Sequence, residues 1–249
     1  MTPWQVAVGR PEPQLVTRNH AVFFNAGEAF SRRDFCGDGD LNHFMVLAPL
    51  VAEELLAGLP SSAPSGRFPR AVARLAPGSF LTARLVRSRL MAGAEPLEAE
   101  ERLLALAAET VGAAFGGSPR MPSHAPRFVE DAKALLATDV AARLTLPELG
   151  HALNVSEFHL ARTFRAHTGY SLHGYRLHLR VRMAADLVCD EGAELREVAA
   201  KVGFSSHSHL TSAFRKVFGV PPSVIRGRTS QSGSCALLPA MRKKPTGRQ

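Results

Sequence analysis

Two stretches of the chain carry hydrogen-bonding and cationic side chains at helical spacing. The first has Glu157, Phe158, Ala161 and Arg162 behind Ser156, with Arg165 a turn further on. The second, 50 residues later, has His207, Ser208, Thr211 and Ser212, with His209 beside them and Arg215 and Lys216 beyond. Positions i, i+1, i+4 and i+5 share one side of an α-helix. That side presents a guanidinium fork, a carboxylate, hydroxyls, imidazoles and apolar contacts. Such a set suits contact with a patterned surface, and the groups that break bonds are missing. There is no glycine-rich phosphate loop, no suggestive Ser-His-Asp arrangement and no carboxylate pair at catalytic spacing. Glu53 with Glu54, and Glu100 with Glu101, read as helix surface. His20 and His43 lie 23 apart with no His or Glu at short spacing, so they read as strand-start residues rather than metal ligands.

The elements that position these side chains are written twice. Leu146, Leu149, Gly150, Leu153 and Ser156 reappear 49 residues later as Leu195, Val198, Ala199, Val202 and Ser205. After a one-residue insertion, Leu160, Phe164, Arg165, Gly169 and Arg176 match Leu210, Phe214, Arg215, Gly219 and Arg226 at an offset of 50. An internal repeat defines the structural unit. Here the apolar stripe of a short helix faces that of a second helix. Gly150 and Ala199 are the small residues at the crossing. Ser156 caps the second helix of the first copy, Gly203 supplies a positive φ in the turn of the second, and Ser205 or Ser206 caps the helix after it. The spacing therefore predicts two helix-turn-helix units, with their second helices over 156–167 and 206–217. A long helix from about Leu172 to Val188 joins them. Arg180 and Arg182 on that helix read as structural, either as surface charges or paired with Glu194 or Glu197.

Charge is uneven along the 249 residues. Residues 1–126 have 12 basic and 12 acidic side chains, residues 127–228 have 14 and 10, and the last 21 have four basic and none acidic. The excess of +8 thus lies with the repeat and the tail, where a polyanion would be met. Cys36, Cys189 and Cys235 are widely spaced and form neither a disulfide framework nor a zinc motif. Cys189 reads as packing on the linking helix and Cys36 as a loop thiol. With no signal peptide or long apolar run, the expected compartment is the cytoplasm, with no membrane association.

Ahead of the repeat, AVFFNAGEAF and HFMVLAP read as strands around a turn, SRRDFCGDGDLN. The segments VAEELLAG, AVARL, FLTARLVRSRLMAG and PLEAEERLLALAAETVGAAF read as helical, the last opening on Pro96. GGSPRMPSHAP, residues 116–126, reads as a linker. The expected fold is mainly α. A small α+β region over 1–115 precedes an all-α domain over 127–228 with two helix-turn-helix units, and 229–249 is a basic disordered tail.

The stretch LTLPELGHALNVSEFHLARTFRAHTGYSLHGYRLHLRVRMAADLV, followed by LREVAAKVGFSSHSHLTSAFRKVFGVPPSVIRG, resembles the AraC/XylS family of bacterial transcription regulators. The resemblance covers about two fifths of the chain. Ile225 stands where the family usually has Tyr, and Gly150 where it usually has Ala. The amino-terminal region looks like an incomplete cupin-type sensor domain followed by a helical pair used for self-association.

The resemblance implies sequence-specific binding of double-stranded DNA, each unit entering a major groove with the first turns of its second helix. Base contacts are then expected from Glu157, Phe158, Ala161 and Arg162, and from His207, Ser208, Thr211 and Ser212. Arg162 can bond guanine O6 and N7 together, whereas Ser212 at the matching position has no such reach. The first unit is therefore expected to carry most of the sequence reading. Phosphate contacts are expected from Ser156, Arg165, His209, Arg215 and Lys216. Candidate further partners are a small-molecule effector, RNA polymerase and a second copy of the chain. No cofactor and no enzymatic activity are expected. Two other classes compete: an architectural DNA binder with little sequence preference, and a cupin-type metal enzyme fused to a DNA-binding domain.

Overall fold

The computed structural model describes residues 3–9, 12–34, 44–57, 59, 66–93, 95–116, 125–190 and 193–230. The amino-terminal elements are β1 (Trp4–Val8), β2 (Gln14–Val16), β3 (His20–Val22), β4 (Phe30–Asp34), α1 (Pro49–Ala57), β5 (Val72–Arg74), α2 (Pro77–Met91) and α3 (Pro96–Phe115). The strands form two small antiparallel sheets, ordered β2-β1-β4 and β3-β5. Alternation along β1 buries Trp4, Val6 and Val8 on one face, together with Val16. The edge strand β4 is exposed along its whole length.

Several expectations fail in this region. AVARL is not helical: residues 72–74 form β5, paired with β3 from Val22 opposite Val72 to His20 opposite Arg74. Pro69 and Pro77 leave too little chain between them for a helix. HFMVLAP does not form a strand in its described part, where Phe44 is 76 % and Val46 94 % exposed. The turn expected at SRRDFCGDGDLN begins instead as β4, and its remainder, which includes Cys36, lies outside the described residues, as does His43 after it. Strands β1 and β2, ahead of every predicted strand, were not anticipated. The helices over α1, α2 and α3 form as expected, and α3 has its proline in the first turn.

The repeat folds as α4 (Arg127–Thr138), α5 (Leu146–Ala152), α6 (Glu157–Thr168), α7 (Leu172–Asp190), α8 (Leu195–Lys201), α9 (His207–Phe218) and α10 (Pro222–Ser230). In the first unit Leu149, Leu160 and Phe164 pack with Val129, Leu136, Tyr175 and Leu179. In the second, Val198, Leu210 and Phe214 pack with Val181, Val188, Phe218 and Ile225. The α5–α6 turn places Asn154 at φ 53, and the α8–α9 turn places Gly203 at φ 81. Asn is one of the few side chains that tolerate this region, so the two copies make one turn with different residues. Gly169 and Gly219 end α6 and α9 in matching left-handed caps, with φ 72 and 76. The serine question resolves as Ser206, whose hydroxyl accepts from His209 N at 3.1 Å, just as Ser156 accepts from His159 N at 3.3 Å. A Cβ on Gly150 would lie 2.9 Å from the Val155 carbonyl oxygen, a measure of how closely α5 meets the turn.

The amino-terminal region and the repeat share a core. Phe80 and Leu81 of α2 belong to the same apolar cluster as α7, α9 and α10, and Phe80 stacks against Phe218. Asp186 of α7 pairs with Arg18 and with Arg84, each at 3.1 Å. Thr17 Oγ1 and Tyr175 Oη are 2.8 Å apart. The 116–126 linker lies outside the described residues except at its ends.

Imidazoles at this seam make folding sensitive to acid. Burial, then the Arg182 and Arg74 cations, push His178 down to about 4. His20 is held well below its usual range by burial and by Lys133 and Arg182, and burial lowers His167 as well. The unfolded chain takes up these protons near pH 6.5, while folded His178 does not until about pH 4. The unfolded state therefore binds more protons between those values, and stability present above pH 6.5 is lost as pH falls toward 4. Urea midpoints measured across that window should decline in the parent chain and decline less in His178→Gln. Equal slopes would mean that His178 is protonated in both states.

Candidate nucleic-acid interface

The first helix of each unit props the second. Thr145 and Glu148 form a reciprocal cap on α5: Thr145 N donates to Glu148 Oε2 at 2.7 Å and Glu148 N to Thr145 Oγ1 at 3.4 Å. These hydrogen bonds hold the Glu148 carboxyl below its usual range. The signal was present in the sequence as Thr-x-x-Glu before an apolar run, and it was missed. No side chain caps α8, which follows Glu194. The matching arginines Arg176 and Arg226 do the same work in both copies. Arg176 donates to the carbonyls of Ala142 and Leu144, and Arg226 to that of Ala193, each just ahead of its unit's first helix.

With Leu160 and Phe164 turned fully into the core, α6 presents Glu157, Phe158 and Arg162 to solvent, with Ala161 half-buried beside them. With Leu210 and Phe214 buried, α9 presents His207, Ser208 and Ser212, with Thr211 half-buried. Each predicted group of four therefore comes together on one outward face. Phe158 is 76 % exposed, an aromatic ring that the fold itself does not use.

The two faces differ in how far their side chains are already engaged. On α9, Thr211 Oγ1 lies 3.4 Å from His207 Nε2, and Ser205 Oγ lies 3.2 Å from His209 Nδ1. The His209 ring meets Phe204 edge-on at 5.0 Å. Among the described residues, no ion pair or hydrogen bond involves the side chains of Arg162, Arg165, Arg215 or Lys216, all of which are exposed. The arginines of α7 are treated in the opposite way. Arg180 donates to the carbonyls of Val140, Ala141 and Ala142, and Arg182 to Asn19 Oδ1 and the Leu75 carbonyl. Neither pairs with Glu194 or Glu197 as one sequence reading allowed, and Glu194 meets Arg226 instead, at 3.9 Å.

Residues 149–228 match the family model described as a helix-turn-helix domain. Residues 149–228 are an AraC-type helix-turn-helix domain. Over 118 residues the chain is 31 % identical to the HTH-type transcriptional regulator GlxA of Rhizobium meliloti, covering 45 % of this chain and 36 % of that one. Over 105 residues it is 36 % identical to the HTH-type transcriptional regulator RipA of Corynebacterium glutamicum, covering 42 % and 31 %. The solved C-terminal domain of AraT, a response regulator from Geobacillus stearothermophilus, aligns at 27 % identity and a TM-score of 0.40, over 42 % of this chain and 88 % of that one. The chain spans about a third of the length of the curated relatives it matches. The match begins within α5 and runs through α6, α7, α8 and α9 into α10, while the amino-terminal sheets and α1–α4 lie outside it. Among the described residues, no group of three or more His, Cys, Asp or Glu side chains is placed to hold a metal ion, and no helix is long and apolar enough to cross a membrane. His20, considered as a ligand, accepts from Thr17 N through Nδ1 at 3.1 Å.

Proposed function

We propose that the chain is a transcription regulator that binds double-stranded DNA in a sequence-specific way, presenting α6 and α9 to successive major grooves. The observation that carries this reading is the division of the cations. Arginines that hold the fold donate to backbone carbonyls, and Arg182 also to the Asn19 amide oxygen, while Arg162, Arg165, Arg215 and Lys216 engage no partner among the described residues and stand on the outward faces of the two helices. Free exposed guanidinium and ammonium groups on a helix face with few acids neutralise phosphates. Glu157 is the single acidic residue in α6, and α9 has none. The sorting of roles follows from reach. Arg162 reads a base, Phe158 and Ala161 contact thymine methyls, and Glu157 accepts from cytosine. Arg165, Arg215 and Lys216 hold the backbone, joined by Ser156 and His209. On α9, His207 and Thr211 engage each other, which supports a second unit that anchors more than it discriminates. The exposed side chains Met91, Leu97 and Leu104 of α2 and α3 support self-association through that pair.

Selection of the full chain on a randomised duplex pool at about 150 mM salt tests the reading. The expected result is an enriched motif of two unequal blocks about one helical turn apart, the more sharply defined block belonging to the first unit. A flat pool with good retention would favour the architectural reading. Absence of retention would overturn both.

A further inference from the structure

The two units are held together by ties on opposite sides of α7. Arg180 and Arg182 are two residues apart, about 200° around a helix of 3.6 residues per turn. On one side, Arg180 binds the carbonyls ahead of α5, and the α8–α9 turn closes on the same loop. A Cβ at Gly203 would come within 2.7 Å of Ala141 Cα and 3.0 Å of its carbonyl oxygen. On the other side, a segment that belongs to neither unit reaches both. Leu15 N donates to Glu130 Oε2 of α4 at 3.0 Å, and Thr17 meets Tyr175, which is packed in the first unit's core. Phe80 and Leu81 of α2 are packed in the second unit's core, with Leu85 against it.

Asn19 and Leu75 lie between these two footholds. Leu75 N donates to the Asn19 carbonyl at 2.8 Å, and the guanidinium of Arg182 donates to Asn19 Oδ1 and to the Leu75 carbonyl. Arg182 has no exposed surface and lies 5.2 Å from the centre of the Phe80 ring. A buried guanidinium is strongly disfavoured unless its donors are met; with Arg182 Nε already lacking a hydrogen-bond partner among the described residues, the two acceptors of the terminal nitrogens have to stay in place. A single helix of 19 residues, loaded at both ends, bends and twists, and a rigid crosspiece at its middle resists both.

We propose that Arg182 is a positioning residue that joins residues 14–22 and 72–86 into a splint across the two helix-turn-helix units, so that the amino-terminal region sets the relative orientation of α6 and α9. The consequence for DNA, the spacing of the two blocks that the chain accepts, rests on the function proposed above. The orientation itself does not.

The test uses the full chain with Cys36→Ser, Cys189→Ala and Cys235→Ser, spin-labelled at Ala166→Cys on α6 and Ala200→Cys on α8, two exposed positions away from the reading faces. Pulsed electron-spin measurement should give one narrow distance distribution in the parent. In Asn19→Ala, which removes one acceptor of Arg182, and in Arg182→Lys, the distribution should widen about twofold or split as further orientations become populated. Helical content and a second label pair placed within one unit should stay unchanged. Binding is then compared on duplexes whose two blocks are separated by zero, one or two added base pairs. The parent should lose affinity steeply, and Asn19→Ala should keep its affinities on the three within about threefold of one another. An unchanged distance distribution in Asn19→Ala would overturn the splint, even if Arg182→Lys fails to fold. So would an equal loss of affinity at every spacing. A parent that binds no duplex would overturn the DNA reading alone, with the distances still deciding the splint.

Discussion

Gly203→Ala is expected to destabilise the chain by about 2–5 kcal/mol, a large share of the about 5–15 kcal/mol that holds a domain folded. Two effects add. The residue sits at φ 81, where an L side chain is strained by about 1–2 kcal/mol. The new methyl would also be forced against the Ala141 backbone at 2.7 Å, and overpacking of this kind typically contributes about 1–3 kcal/mol. Ala141 is backbone with Arg180 already bound to its carbonyl, so it cannot move aside without releasing that arginine. The equilibrium urea midpoint should fall, and amide exchange should quicken in both units, because the turn of one packs on the loop of the other. Asn154→Gly is the matched control. Asn154 has the same handedness at φ 53, and a change there should stay within about 0.5 kcal/mol. A loss below about 1 kcal/mol for Gly203→Ala would mean that the turn relaxes into another geometry.

What could be read from the sequence follows the range of the interactions involved. Ser156 and Gly203 declare their roles within four residues of themselves, and the stripes Leu149–Leu153 and Leu160–Phe164 repeat in register in the second copy. The helix-turn-helix units were therefore legible together with the faces they present. The sheets were not, because strand pairing is non-local. Val72–Arg74 is a strand only because β3, some fifty residues earlier, lies beside it. A five-residue run such as AVARL carries no periodicity long enough to choose between states. Phe44 and Val46 show the reverse error, apolar residues that look like core and are exposed.

Arg182 shows the limit most clearly. Nothing near it in sequence predicts its burial, since its two acceptors come from residues 163 and 107 positions away. Reading it as a surface charge or as a partner of Glu194 or Glu197 was reasonable locally. The fold overrules that reading by delivering carbonyl and amide oxygens from the amino-terminal region. The packing of the amino-terminal region on the repeat is hidden in the same way: the composition of residues 116–126 says nothing of Phe80, which lies well before them and packs against Phe218.

For the reading face, the largest expected effect comes from Arg162→Ala. A bidentate guanidinium-to-guanine contact is worth about 1–3 kcal/mol of discrimination, so preference at one base pair should fall roughly 5- to 150-fold while the rest of the motif is retained. The fold should not suffer, because the side chain is exposed and engages nothing else among the described residues. Arg165→Ala is the informative contrast. A phosphate contact carries no sequence information, so its loss should weaken binding to all duplexes alike and reduce the slope of log affinity against log salt by about one. Ser212→Ala, at the position matching Arg162, should alter discrimination by less than about 0.5 kcal/mol, since a short hydroxyl on α9 replaces the long donor of α6. Titration of the three variants against the selected motif and its single-base substitutions, each at two salt concentrations, separates these outcomes. If Arg162→Ala instead behaves like Arg165→Ala, falling evenly on every sequence with a reduced salt slope, Arg162 is a backbone contact. Discrimination by the first unit would then rest on Glu157, Phe158 and Ala161.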